Sequence, residues 1–268
     1  MPKISVIMGV FNVGNGTKVE IAIRSILSQS FGDFEFIICD DGSEDNTYKI
    51  IEKIAEEDRR IKLIKNDNNQ GLAQTLNNCL KISKGEYIAR MDDDDFSYKD
   101  RFKKQVEVLD KNKNIDIVAS SLDIYDGKKI THKQNIRVEY PEKEDFAWGT
   151  CFFHPSTMIR RKKLEEVNGY RVAKETRRAE DYDLFMRMYA MGCKGYNFKE
   201  SLLRYYVNPE AMKKRKYIYR IDEAVVRYKG FKLLNLSRTK NIYILKPLIV
   251  GLIPKKLIFK IIKRIYKE

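Results

Sequence analysis

Gly85-Glu86-Tyr87-Ile88-Ala89-Arg90-Met91-Asp92-Asp93-Asp94-Asp95 carries a largely apolar run into four consecutive aspartates. Glu86 to Met91 reads as a buried strand, so the carboxylates gather at one strand end. Like charge at that density is unfavourable unless a cation or a hydrogen-bonding ligand offsets it. The run therefore suggests a divalent metal with an attached phosphate. Taken alone, such a run reads first as a solvated loop or a helix-capping cluster; its upstream and downstream context shifts the reading.

The sequence before it alternates between two hydrophobic periods. Ile4 to Val10 reads as a strand, and Val19, Ala22, Ile23, Ile26 and Leu27 then share one helical face. Phe34 to Cys39 is a second strand, followed by a helix with Ile50, Ile51, Ile54 and Ala55 on its inner side. Ile61 to Ile64 is a third strand, and Leu72, Leu76, Cys79 and Leu80 mark the next helix. This βαβ alternation predicts an α/β fold: a mainly parallel sheet covered by helices, with ligand groups at the carboxyl ends of its strands. Asn12, Asp40 to Ser43, Asn66 to Gly71 and Asp92 to Asp95 all fall there.

After the acidic run, Ser97 and Asp100 have S-x-x-D spacing, which predicts a capped helix through Phe102, Val106 and Leu109. Ile115 to Leu122 reads as a strand and Asp126-Gly127 as a hairpin turn. From Glu139 the pattern loosens into a loop around Trp148 and His154. A short helix from Lys162 ends at Asn168-Gly169, a stronger one spans Glu180 to Met191, and Leu202 to Val207 is a late strand. The remainder reads as basic amphipathic helix in at least two pieces, broken near Pro247 and Pro254.

With 268 residues, 43% hydrophobic and 34% charged, the chain can bury a substantial core. Charge is unevenly placed: residues 211–268 hold 17 Lys and Arg against three acids, leaving 35 bases and 35 acids in residues 1–210. The sequence pI near 9.4 thus describes a tail, and no affinity of the main domain for nucleic acid is expected. Cys39, Cys79, Cys151 and Cys193 form no C-x-x-C pair and read as reduced core residues of a cytoplasmic protein. The start, Met1 to Met8, is too short for a signal peptide, and Lys246, Pro247 and Pro254 interrupt the best candidate for a membrane span.

Taken together, these segments resemble the family 2 glycosyltransferases of the GT-A fold. The matching pieces are Ile4 to Asn12, Cys39-Asp40-Asp41-Gly42-Ser43 with Asp45 and Thr47, Asn69-Gln70-Gly71-Leu72, Gly85 to Ile88, and Asp92 to Asp95. His154-Pro155-Ser156, Gly169-Tyr170 and Ala179 to Leu184 follow in family order, so the likeness covers roughly residues 3 to 207. It implies a GT-A domain over 1–210, with a nucleotide-sugar half (1–100) and an acceptor half (101–210), followed by a basic helical region at 211–268.

The resemblance further implies a nucleotide-sugar donor, with UDP-sugar the expected class. Val10, Phe11 and Asn12 would meet base and ribose, and Asp41 would accept the uracil N3–H. Asp92-x-Asp94 matches the D-x-D motif: Asp94 would bind Mn²⁺ or Mg²⁺ bridging the diphosphate, and Asp92 the ribose or a metal-bound water. In an extended segment Asp92 and Asp94 point one way and Asp93 the other, although Asp93 is grouped with the donor contacts as part of the motif. Asp181 takes the place of the base for an inverting transfer, and Glu180 would hydrogen-bond the acceptor. Their alternative is an acidic first helical turn. His154 and Trp148 are candidate acceptor contacts, with structural hydrogen bonding and packing as alternatives.

Leu76 stands before Asn77 where many members carry Arg, and the Arg-Trp pair of processive synthases is absent, which favours one sugar per encounter. The acceptor expected is a glycan or lipid-linked hydroxyl in cell-surface polysaccharide synthesis. In the tail, Ile258, Ile261, Ile262 and Ile265 share a face bordered by Lys256, Lys260, Lys263, Arg264 and Lys267. That pattern predicts peripheral binding to an anionic membrane surface, at the inner face of the cell membrane. Packing on the catalytic domain, or on a second subunit of a homo-oligomer, is its alternative. Competing classes are a sugar-nucleotide pyrophosphorylase, whose glycine-rich basic signature is missing, and a non-catalytic protein of anionic surfaces, which leaves the acids unexplained.

Overall fold

The computed structural model describes residues 1–207 and 216–253. Its first half is β1 (Ile4–Val10), α1 (Thr17–Leu27), β2 (Phe34–Asp40), α2 (Thr47–Glu57), β3 (Ile61–Lys65), α3 (Leu72–Ile82) and β4 (Tyr87–Arg90). β1 pairs in parallel with both β2 and β4, and β2 with β3, in the order β3-β2-β1-β4. The chain winds outward to β3 and then returns to the other side of β1, so the carboxyl ends of β1 and β4 flank a topological switch point. Helices cover both faces, which is why these strands are continuously apolar: every residue of β2 is buried. Ile4, Val6, Ile7 and Met8 of β1 have no exposed surface. Each such side chain contributes about 1.5–3 kcal/mol.

The second half extends the same sheet to nine strands. It adds β5 (Phe96–Ser97), α4 (Arg101–Lys111), β6 (Ile117–Tyr125), β7 (Ile130–Gln134), β8 (Met158–Arg160), α5 (Arg161–Glu166), α6 (Glu180–Ala190) and β9 (Gly195–Tyr206). β8 inserts antiparallel between β4 and β6, β9 runs parallel to β6, and β5 closes against β9 in the antiparallel sense. Three short strands, β5, β7 and β8, escaped the sequence pattern. β8 has three residues, too few to show a period, and β7 is the exposed edge Ile-Thr-His-Lys-Gln. The expected Ser97–Asp100 cap does not form. Pairing of β5 with β9 draws Ser97 into the sheet, and the Asp100 carboxylate accepts a hydrogen bond from Ser30 Oγ at 2.7 Å.

In the described tail, α7 (Ile218–Leu233) packs on α6, and Val226, Phe231 and Leu234 join the same core as α3, α5 and α6. Gly230 allows that approach, because a Cβ there would lie 2.2 Å from Met186 Sδ. Pro247 opens the short helix α8 (Lys246–Leu252), where its missing N–H costs nothing. The stripe at Ile258 to Ile265 lies outside the described residues. All four cysteines are free and buried.

Candidate active site

A cleft of about 940 Å³ opens at the switch point. One side is formed by Gly9 and Val10 at the end of β1, Phe11 just after it, Asp41 after β2, Asn69 to Leu72 at the start of α3, and Asp92 and Asp93 after β4. Phe11 is partly exposed there, so its ring face is open to a planar ligand. Asp41 organises this wall. Its Oδ1 accepts from Asn66 Nδ2 and the Gln70 N–H at 2.8 Å, and its Oδ2 from the Gly71 N–H at 2.9 Å. Two oxygens with roughly four acceptor positions leave capacity for one more donor from a ligand. Gly42, beside it, has φ +70° and lies so near the 68–69 backbone that a Cβ would meet Asn68 C at 2.5 Å. Asn12 serves the loop instead of the cleft. With φ +49°, its N–H donates to Ser43 Oγ and its Oδ1 accepts from the Glu44 N–H.

The acidic run departs from the extended geometry expected of it. Asp93 and Asp94 form a turn, which swings Asp93 into the cleft lining beside Asp92 and cancels the strict alternation. Below them lies Arg90, a guanidinium with 2% exposure that pairs with the Asp92 carboxylate. Burial works against its charge, but the fields of Asp92, Tyr170, Asp93 and Asp95 prevail and hold its pKa above the ordinary value. Sequence reasoning missed this residue, although an arginine inside a buried strand was the visible signal. Burial, then the charges of Asp94 and Asp92, pushes the Asp93 carboxyl up to about 7. Burial and Asp92 bring Asp94 to about 6. Asp95 is buried, accepts the Tyr206 N–H at 2.9 Å, and leaves Oδ2 without a partner.

Across the cleft, α6 presents Glu180 and Asp181 in its first turn. Glu180 joins the lining. Asp181 is partly exposed, and its Oδ1 accepts the Tyr182 N–H at 2.8 Å. Burial first, then Glu180, pushes the Asp181 carboxyl up to about 7, with a smaller contribution from Asp92. That value suits a group which takes a proton near neutral pH. Arg171 and Arg187 grip Asp183 from two sides, fixing the helix that carries the pair.

Of the three acceptor candidates, His154 and Trp148 lie outside the cleft lining. His154 is buried, its Nε2 2.7 Å from Tyr170 Oη, and burial together with Arg90 holds it neutral. It is a structural group beneath the site. Trp148 packs edge-to-face on Tyr243 and under Lys246 Nζ, 3.6 Å from its ring centre, against the tail instead of in the cleft. Lys174, Arg177, Arg178 and Tyr219 do line the cleft and were not anticipated. The signal was Lys174 to Arg178 standing directly before Ala179-Glu180-Asp181.

Among the described residues no group of three or more potential ligands is gathered closely enough to hold a metal ion alone. The carboxylates nevertheless fit a hard cation whose remaining ligands are phosphate and water oxygens. Asp92, Asp93 and Asp94 are oxygen donors, and a cation would relieve the repulsion that raises Asp93 and Asp94.

A mostly parallel sheet covered by helices, an acidic run at its switch point and a second acid pair on α6 define the class, a glycosyltransferase of the GT-A fold. The chain belongs to glycosyl transferase family 2, whose family model matches residues 5–168. It is 40% identical over 254 residues, 94% of this chain and 90% of the relative, to EpsE of Bacillus subtilis, which carries a provisional glycosyltransferase name. It is 38% identical over 113 residues, 42% of this chain and 43% of the relative, to WfaP of Escherichia coli, a UDP-Glc:alpha-D-GlcNAc-diphosphoundecaprenol beta-1,3-glucosyltransferase. Among solved structures, Staphylococcus aureus TarS 1–349 with UDP-GlcNAc aligns at TM-score 0.68 and 18% identity, over 95% of this chain and 82% of that one. The mannosyltransferase PcManGT of Pyrobaculum calidifontis, with GDP-Man and Mn²⁺, aligns at 0.64 and 19%, over 93% and 75%. At such identities these likenesses speak to fold alone.

Proposed function

We propose that this glycosyltransferase moves one sugar from a UDP-sugar to a hydroxyl of a lipid-linked glycan, with inversion, in bacterial surface polysaccharide synthesis. The observation that carries the reading is the division of acids across the cleft. Asp92 and Asp93 line the cleft at the strand end, where a diphosphate with its cation would sit, with Asp94 next in the same turn. Glu180 lines the other side, and Asp181 beside it is pushed up to about 7, chiefly by burial, with Asp92 near enough to contribute. Asp92, Asp93 and Asp94 would hold Mn²⁺ or Mg²⁺, which would offset charge on the departing nucleoside diphosphate. Phe11 and the Asp41 carboxylate would meet the base. Asp181 takes the acceptor hydroxyl proton as that oxygen attacks the anomeric carbon opposite the leaving group, and Glu180 orients the hydroxyl. WfaP, which by its name uses a UDP-sugar and a diphosphoundecaprenol acceptor, supports this choice of substrates.

Peripheral membrane association belongs to the same proposal. Ile218, Ile221, Val225 and Tyr228 form an exposed face of α7, with Ile249 and Leu252 exposed on α8. Lys216, Lys232 and Arg238 are exposed around them and Lys229 is paired with Glu175, whereas Asp222 is buried and Glu223 is held by Arg220 and Arg227. Among the described residues, an apolar face with exposed basic neighbours and with nearby acids that are buried or paired suits an anionic lipid surface. No helix among the described residues is long and apolar enough to cross a membrane.

Thermal stabilisation by UDP and GDP, each with Mn²⁺ or EDTA, tests the donor assignment. UDP with Mn²⁺ should stabilise the wild type, and Asp94→Asn should lose the metal-dependent part. Equal stabilisation in EDTA would remove the metal, and preference for GDP would change the donor.

A further inference from the structure

We propose that Lys174, Arg177 and Arg178 form a second anion subsite in the cleft, which binds the diphosphate of a lipid-linked acceptor. The proposal rests on the glycosyl-transfer reading above and assigns the substrate chemistry of its other half.

Charge on this segment is sorted. Arg171 is paired with Glu175 and Asp183, Arg187 with Asp183, and Lys229 with Glu175. Lys174, Arg177 and Arg178 are exposed, line the cleft, and make no ion pair among the described residues. Arg177 Nε donates to Lys174 O at 3.2 Å and the Arg178 charge acts on Glu180, so the remaining N–H donors of these heads are what a ligand would meet.

The backbone holds them there. Thr176 is buried, its Oγ1 donating within the turn while it accepts the Ala173 N–H at 3.1 Å, and the Ala179 N–H donates to Thr176 O at 2.9 Å. This anchored turn leaves Arg178 at φ +71°, a left-handed conformation that a long side chain adopts only under constraint. Strain kept immediately before the Glu180–Asp181 pair points to a task for the side chain that the turn presents.

Position then selects the ligand. The donor diphosphate with its cation belongs beside Asp92 and Asp93, on the β1–β4 side. The three cations stand on the segment leading into α6, next to the proposed base, where an acceptor must lie. Val172, which is exposed, and Tyr219 of α7 line the same part of the cleft and offer apolar contact to a hydrocarbon chain. Cations flanked by apolar groups fit an alkyl diphosphate better than a free sugar.

The test titrates full-length protein, saturated with UDP at fixed free Mn²⁺, with geranyl diphosphate, and with geraniol as the uncharged control. Wild type should bind the diphosphate and not the alcohol. Arg177→Gln/Arg178→Gln should weaken that binding tenfold or more with UDP affinity unchanged, and Arg177→Lys/Arg178→Lys should recover part of it. Arg178→Gly should weaken the probe while raising Tm, since glycine accepts the left-handed backbone. A parallel fall in UDP affinity would mean that the wall serves the donor, and undiminished probe binding in the double variant would mean that it serves neither; either result overturns the proposal. Failure of wild type to bind any nucleotide would instead refute the donor reading, and the titration without nucleotide would still judge the wall.

Discussion

Asp93→Asn should stabilise the protein in the absence of metal, and by an amount that depends on pH. The Asp93 carboxyl is raised from 3.8 to about 7, first by burial and then by Asp94 and Asp92. A carboxyl raised on folding binds more protons in the folded than in the unfolded state between those two values. Stability is therefore lost as pH climbs from about 4 to 7, and the full penalty persists above 7. A shift of three units corresponds to about 4 kcal/mol in an isolated site. Asp93 is partly exposed and shares its repulsion with its neighbours, so about half, roughly 2 kcal/mol, is expected at pH 8. At pH 5, where the folded group is already neutral, the gain should fall below about 1 kcal/mol. The asparagine loses no direct charge-assisted partner, because Arg90 pairs with Asp92. Urea unfolding in EDTA at the two pH values measures both gains, and Tm at pH 8 should rise by about 4 °C. Mn²⁺ with UDP should stabilise wild type more than the variant, closing the gap. A variant no more stable than wild type at pH 8, or a gain equal at both pH values, would refute the claim that repulsion and burial are stored at Asp93.

Asp181→Asn should leave UDP affinity nearly intact and lower turnover about 100-fold or more, with the product anomer inverted in the wild-type reaction by NMR. Because the base form exists above its pKa of about 7, wild-type turnover at saturating metal should rise about tenfold from pH 6 to 8; a flat profile would remove Asp181 from that role. Asp41→Asn sets an amide donor against the N–H groups of Gln70 or Gly71 and should cost about 2–3 kcal/mol in urea unfolding, along with UDP affinity. Gly42→Ala meets backbone at 2.5 Å with φ +70°, so it should destabilise by more than about 2 kcal/mol; unchanged stability would contradict that contact.

The alternation of β1 to β4 with α1 to α3 was legible in the residues alone, because an apolar period is a local property that burial on a covered parallel sheet rewards. The sequence also placed Asp41, Asp92 and Asp93 at strand ends, and such ends converge in any sheet of this kind. The later half was less legible. β8 is too short to carry a period, and β5 captured Ser97 through a strand more than a hundred residues away. The surroundings of each charged group came from long-range packing. It buried Arg90 under the acidic run, turned Asp93 into the cleft, and joined His154 to Tyr170 as a neutral internal pair. It also paired Arg171 while leaving Arg177 and Arg178 at the cleft with no ion pair among the described residues. Proximity between distant residues sets desolvation and Coulomb energy, and those energies have no period along the chain by which a sequence could display them.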